Sequence, residues 1–360
     1  MKSYAPLIYN PEKSLEVLRS TNSYFDANSE LKEKYENLGW AYFSIGKSIP
    51  QTMENLWSGH FFPYRESWDE LQISFNLVLL GLYKQAFVSL RGALELGLLS
   101  VYYNINDEGH KTVKDWLKSK NTWEANTPRS DKIWKILNSN NNISKFNNKY
   151  DLSKDFDNLS FLHNYVHTKG YKYSNSMGIL KSNFQTFEAS VLIEWLDTYE
   201  KIIKIVITLH MLKYPISIIE YDWGRKIGID NPYPVLEIFE IQRIKDLLPK
   251  EHITEIKSIA ESDSETKNLF NHINEMPDMS EEEAEVQIIN LDKSIIEHGL
   301  GFLEWEKQEL RLIEKYNQES KNKVLKRINL LREWAIENDM IKSKLVRLKE
   351  HSLLRSNENT

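Results

Sequence analysis

The stretch LVLLGLYKQAFVSLRGALELGLLSVYY, residues 77–103, decides the fold class. It is almost wholly apolar, yet it holds Lys84, Arg91 and Glu95 in its interior. Charges in mid-span are costly in lipid, so the segment is read as a helix buried in a protein core. Gly81 is the natural place for a break. Leu90, Leu94, Leu98, Leu99 and Tyr102 are the expected core positions. Arg91 and Glu95 are four apart, so they share a helical face, and Lys84 lies on that face seven residues earlier. In so apolar a helix these charges must pair with each other or face a cleft.

Working outward, nearly every periodic segment reads as helix, and alternating strand patterns are scarce. The expected fold is all-α. Helices are expected over Ser29–Lys47 with Asn28 as N-cap, Val113–Lys118, Thr127–Leu137, Ser153–Thr168 and Phe184–Leu212. The Asn-rich run Asn138–Asn148 reads as a loop or a local insertion. Ile202–Ile219 is apolar as well, but Lys204, His210, Lys213 and Pro215 argue against a membrane span. Two Gly and two Pro in Gly224–Pro234 mark the expected boundary between a domain at 1–224 and a helical extension at 233–352, with 353–360 as a tail. In the extension, Ser280 precedes an acidic helix start, Glu281–Glu283. From Leu310 to Leu348 apolar residues recur at spacings of three and four, a partly coiled-coil-like pattern. The seam from Val324 to Leu348 is expected to join two chains, with Asn338 setting register. The helices around it are expected to recruit a partner protein.

The 360 residues include 41% hydrophobic and 27% charged residues, the proportions of a globular chain with a real core. The net charge of −6 gives no global field for nucleic acid, so any such surface must be local. The absence of cysteine excludes disulfides, thiolate zinc sites and cysteine catalysis. The opening MKSYAPLIYNPEKSLEVLRS has no uninterrupted apolar core and is not read as a secretory signal. The expected location is the cytoplasm, with no membrane contact.

The chemistry-bearing stretch is Leu-Ser-Phe-Leu-His-Asn-Tyr-Val-His-Thr-Lys-Gly, 159–170. On one helix, Ser160, His163, Asn164 and His167 fall on one face, with Leu159, Leu162 and Val166 on an apolar face. Imidazoles titrate near neutrality and pass protons there. Histidines four apart can also share a zinc ion. The helical metalloprotease signature is absent, because Asn164 stands where its Glu belongs, and a third ligand would have to come from His60, His110 or His210. The site is therefore read with no metal and no cofactor. A structural role, with the imidazoles capping backbone or lining an interface, stays open. Lys323, Lys326 and Arg327 head a basic C-terminal stretch suited to phosphates or to a solvated helix face.

The order Ala-Phe-Val-Ser-Leu-Arg-Gly-Ala-Leu-Glu (86–95), Trp116-Leu117 with Thr127-Pro128, and Leu-Ser…Val-His-Thr-x-Gly ending at Gly170 resembles divergent bacterial branches of the HEPN superfamily, over about residues 60–215. The resemblance implies an all-α bundle that dimerises and, in many members, cleaves RNA in toxin or phage-defence settings. His167 matches the family His. The Arg that active members carry a few residues earlier is replaced here by Ser160, Phe161 or Leu162. Arg91 or His163 is the candidate substitute cation. The catalytic candidates are thus His167, His163, Asn164 and Arg91, supported by Glu95 and Ser160. The rival expectation is a non-catalytic helical module that binds a ligand or partner.

Overall fold

The computed structural model describes residues 11–52, 55, 61–107, 110–118, 127–174, 186–229, 233–299, 301–313 and 317–342. Every regular element among them is helical. In chain order these are α1 (Pro11–Ala27), α2 (Ser29–Ile45), α3 (Phe62–Leu79), α4 (Tyr83–Tyr102), α5 (Lys111–Leu117), α6 (Ser130–Leu137), α7 (Asn141–Tyr150), α8 (Leu152–Asp157), α9 (Leu162–Val166) and α10 (Ala189–Lys213). There follow α11 (Gly224–Ile227), α12 (Ile238–Leu247), α13 (Lys250–Ser262), α14 (Ser264–Glu275), α15 (Glu281–His298), α16 (Phe302–Ile313) and α17 (Gln318–Glu337). Among the described residues no helix is long and apolar enough to cross a membrane.

The chain forms two compact units, Met1–Asp222 with Pro232–His272, and Trp223–Asn231 with Ile273–Thr360. This departs from a simple cut at 224–233. α12 and α13 carry apolar faces, Ile241 and Ile244, then Ile253, Ile256 and Ile259, which bury in the core of the first unit. Lys47 pairs with the buried Glu240 at 2.8 Å, and Lys149 with Glu255 at 2.6 Å, tying the same helices down.

The first unit is organised around α4. Leu90, Leu94, Leu98, Leu99 and Tyr102 are all buried, as the apolar sequence requires. The turn after α3 is made at Gly81, whose φ of 72° is a left-handed conformation that glycine adopts without steric cost. α3 and α4 then run antiparallel, held by Ser74 Oγ donating to Ala86 O at 2.8 Å and Ser67 Oγ to Ala93 O at 2.6 Å. Across α4 lies the equally apolar α10. The two backbones approach at Gly97, where a Cβ would sit 2.5 Å from a Val206 methyl. Trp195 of α10 closes the layer, its Nε1 donating to Ser74 Oγ at 2.8 Å.

The Asn-rich run is a helix, not a loop. Asn140 caps α7 by accepting from the backbone N–H of Asn142 and Ile143, and Ile143 and Phe146 anchor it in the core. Tertiary burial overrides the poor helix propensity of asparagine here. In the second unit Ser280 and Glu283 form a reciprocal capping box at the start of α15. Ile296, Phe302, Trp305, Val324, Ile328, Leu331 and Ala335 make one small core. Val324, Ile328, Leu331 and Ala335 are the seam expected to pair two chains, and they are buried within one chain instead. Asn338 Nδ2 donates to Trp334 O, an end-of-helix bond and not a register device. The rest of that seam, Leu345 and Leu348, lies outside the described residues.

Candidate functional site

Arg91 and Glu95 lie one turn apart on α4, and their pairing follows from that spacing. Arg91 Nε and Nη2 both donate to Glu95 Oε1, at 3.0 and 2.7 Å. The Arg91 side chain is 24% exposed and that of Glu95 45%, so the pair looks out of the core and not into it.

The histidine segment is not one continuous helix. α8 ends at Asp157, and the chain goes through tight turns before α9 begins at Leu162. Leu159, Ser160, Leu162, His163 and Asn164 each donate their N–H three residues back. A three-residue repeat sends Leu159, Leu162 and Tyr165 inward in place of the 3.6-residue face that would have included Val166. Val166 is accordingly 42% exposed. His163 and His167 survive the change, because four residues across α9 still return to the same side. Their rings lie 4.1 Å apart, centre to centre, and are tilted by 53°. His163 is half-buried and His167 exposed.

α4, α6 and the α8–α9 turns enclose a cleft of about 460 Å³. Arg91, Glu95, Ser160 and His163 line it, as do Arg129 and Ser130 at the start of α6. Leu94, Leu98, Ile133, Phe156, Leu159 and Leu162 supply its apolar wall. Arg129 is the N-cap residue of α6 in an extended conformation, and no side chain caps that helix start. The helix end and two guanidinium groups bring positive charge to the cleft, offset by Asp131 at 3.6 Å from Arg129, by Glu95 on Arg91 and by Asp157 in the lining. Burial, then the charges of Arg91, His167 and Lys169, hold the His163 imidazole below its ordinary value of 6.5. The lowered value favours the neutral form of His163, which lines the cleft together with the Arg91–Glu95 ion pair.

The sequence-derived candidates divide between inside and outside this cleft. Arg91, Glu95, Ser160 and His163 are brought together. His167 is on the rim, in contact with His163. Asn164 is half-buried and accepts the Lys169 N–H through its backbone at 3.0 Å. Lys84, expected on the face of Arg91, reaches elsewhere and donates to Thr168 Oγ1 at 2.6 Å. Sequence reasoning missed Arg129, Ser130 and Phe156. Thr127-Pro128 did signal a helix start, but the direction that start faces is set by packing.

His210, one of the possible third metal ligands, is a core residue. Its Nδ1 lies 2.8 Å from Val206 O and its Nε2 3.0 Å from Ser100 Oγ. His60 lies outside the described residues. Among the described residues no three His, Asp or Glu side chains are grouped to hold a metal ion. The basic stretch is also corrected in part. Lys323 and Lys326 are exposed, but Arg327 turns inward to Asp292 at 3.0 Å and Glu309 at 2.9 Å. Asp292 is buried and Glu309 half-buried, and these two acids explain its retraction from solvent. Compared with known proteins, the chain matches no family model, no curated protein and no solved structure.

Proposed function

We propose that the cleft binds the sugar–phosphate backbone of RNA and that His163 and His167 cleave it without a metal ion. The observation that carries this reading is the close pair of imidazoles, of which His163 shares a cleft with Arg91. In the proposed reaction, neutral His163 takes the proton of a 2′-hydroxyl. That oxygen attacks the adjacent phosphorus, and the P–O5′ bond breaks. His167 gives its proton to the leaving 5′-oxygen. The products are a 2′,3′-cyclic phosphate and a 5′-hydroxyl, so atoms and charge balance. Arg91, steadied by Glu95, faces the charge that builds on the phosphorane. Ser160 and Arg129, which line the same cleft, are the groups assigned to orient the phosphate. In the toxin or phage-defence setting that the HEPN resemblance implies, expression in a bacterial host arrests growth.

The test is incubation of the pure protein with total RNA in the presence of EDTA, followed by analysis of the fragment ends. Cyclic phosphate ends that disappear in His163→Ala and His167→Ala support the reading. Fragments that persist in both variants, or none from the wild type, sink it. One observation favours a second reading. Glu95 neutralises Arg91, and much of the cleft wall is apolar, which suits a non-catalytic module that holds a small, largely apolar organic ligand. Intact RNA together with saturable binding of such a ligand would favour that reading.

A further inference from the structure

We propose that Tyr171 is a stacking platform for an unpaired base of the RNA, with Lys169 and Lys172 contacting the flanking phosphates. The inference rests on the RNA reading of the His163/His167 site and adds to it a substrate class, single-stranded RNA. Tyr171 comes four residues after His167 and is 68% exposed, a high value for so large a ring. Among the described residues no side chain stacks on its ring or bonds its hydroxyl. Lys169 and Lys172, both exposed, bracket it.

The turn that presents Tyr171 is braced on both sides, so the ring is offered from a fixed base. Before it, Lys84 of α4 donates to Thr168 Oγ1 at 2.6 Å, and the Lys169 N–H returns to Asn164 O. Thr168 adopts a φ of 47° and Gly170 one of 78°, which reverse the chain away from α9. After it, Tyr173 sets its ring edge-on against buried Tyr165 at 4.9 Å, and Tyr165 stacks flat on Phe87 at 4.8 Å. Ser174 donates to Tyr171 O through both its N–H and its hydroxyl. Phe87 and Lys84 lie one turn apart on α4, so the same helix that carries Arg91 holds the platform. The platform follows the imidazoles closely along the chain, since only Thr168, Lys169 and Gly170 separate Tyr171 from His167. Basic side chains that track phosphates, interleaved with an open aromatic ring, are how proteins hold unpaired nucleotides. A duplex hides its base faces within the stack, so this surface favours single strands.

The experiment uses the full chain and a fluorescein-labelled 2′-O-methyl RNA oligonucleotide, which lacks the attacking hydroxyl and is not cleaved. Binding is read by anisotropy, with unfolding temperature as a check on each variant. Tyr171→Ala weakens single-strand binding about five- to a hundred-fold, whereas Tyr171→Trp keeps it. The same sequence as a duplex binds more weakly than the single strand and is insensitive to Tyr171→Ala. Equal binding by wild type and Tyr171→Ala, or a duplex bound as tightly as the strand, overturns the inference. The two readings fail separately. If wild type cleaves RNA and Tyr171→Ala binds normally, only the platform falls. If Tyr171→Ala loses binding and no variant cleaves RNA, only the cleavage falls.

Discussion

Acid should destabilise this protein in large part through a buried histidine, starting at a pH above the ordinary carboxylate range. His210 is fully buried in α10, between Val206 O and Ser100 Oγ, with the Tyr64 ring edge-on at 5.9 Å. The Nδ1–H donates to the Val206 carbonyl, the Ser100 hydroxyl donates to Gly97 O at 2.6 Å, and Nε2 lies 3.0 Å from the Ser100 oxygen. Burial lowers its pKa from 6.5 to about 4, against a smaller opposing effect of the Val206 bond. Because the folded value lies below the unfolded one, the unfolded chain takes up the proton first as pH falls. Stability from this group is therefore complete above about pH 6.5 and is lost as pH falls toward 4. Each tenfold difference in proton affinity between the folded and unfolded chain is worth about 1.4 kcal/mol. The loss is then about 2 kcal/mol by pH 5 and about 3 kcal/mol by pH 4. His163 and His252 are also held below 6.5, and they act in the same direction. The assay is urea unfolding at pH 8 and pH 5 for wild type and His210→Gln, which cannot titrate. His210→Gln is expected to be less stable at pH 8, with a pH dependence smaller by about 2 kcal/mol. Equal pH dependence in the two proteins, or a flat wild-type profile from pH 8 to 5, would refute the reasoning.

Arg91→Ala should lower RNA cleavage about a hundred- to a thousand-fold with little change in unfolding temperature, as loss of a charge-stabilising group does; an unchanged rate would remove Arg91 from the site. The acid limb of the cleavage pH profile should fall below 6.5, the ordinary imidazole value, because His163 must be neutral to act as base. Arg91→Gln removes one of the charges that depress His163, so in the residual activity that limb should move to higher pH; movement to lower pH contradicts the assignment. Gly97→Ala should cost about 1–3 kcal/mol in unfolding, since its methyl meets Val206. Val206→Ala in the same chain should recover part of that loss, and a neutral Gly97→Ala would mean the α4–α10 contact is looser than described.

The parts of this fold that were legible from sequence share one property, a local cause. α4 is buried because its own residues leave it no other place. Arg91 and Glu95 pair because a helix brings positions four apart together. The Ser280 capping box forms from residues within a single turn. α1 shows how thin that signal becomes, since only Val17, Thr21 and Phe25 of its 17 residues are buried, and Leu18 and Tyr24 stand among the polar residues between them. The histidine segment fails for a different reason. Its residues fit a 3.6-residue face well enough, but the inward set Leu159, Leu162 and Tyr165 recurs every three, and only the surrounding core decides between the two. Arg129 is less legible still. Its place at the cleft depends on which way α6 points, and nothing within α6 encodes that.

The C-terminal seam shows the limit most plainly. Spacings of three and four state that one face of α17 must be covered, because Val324, Ile328, Leu331 and Ala335 are too apolar to leave in water. They do not state by what. Phe302 and Trp305 of α16 and Ile296 of α15 cover that face within the same chain. A second chain would have read identically from α17 alone. The deciding residues stand on other helices, and Phe302 and Trp305 are the buried side chains of α16. An amphipathic pattern thus specifies a buried face, while the partner that buries it is specified by the neighbouring elements. For the same reason the paired imidazoles could be read from four-residue spacing, but the cleft beside them had to be seen.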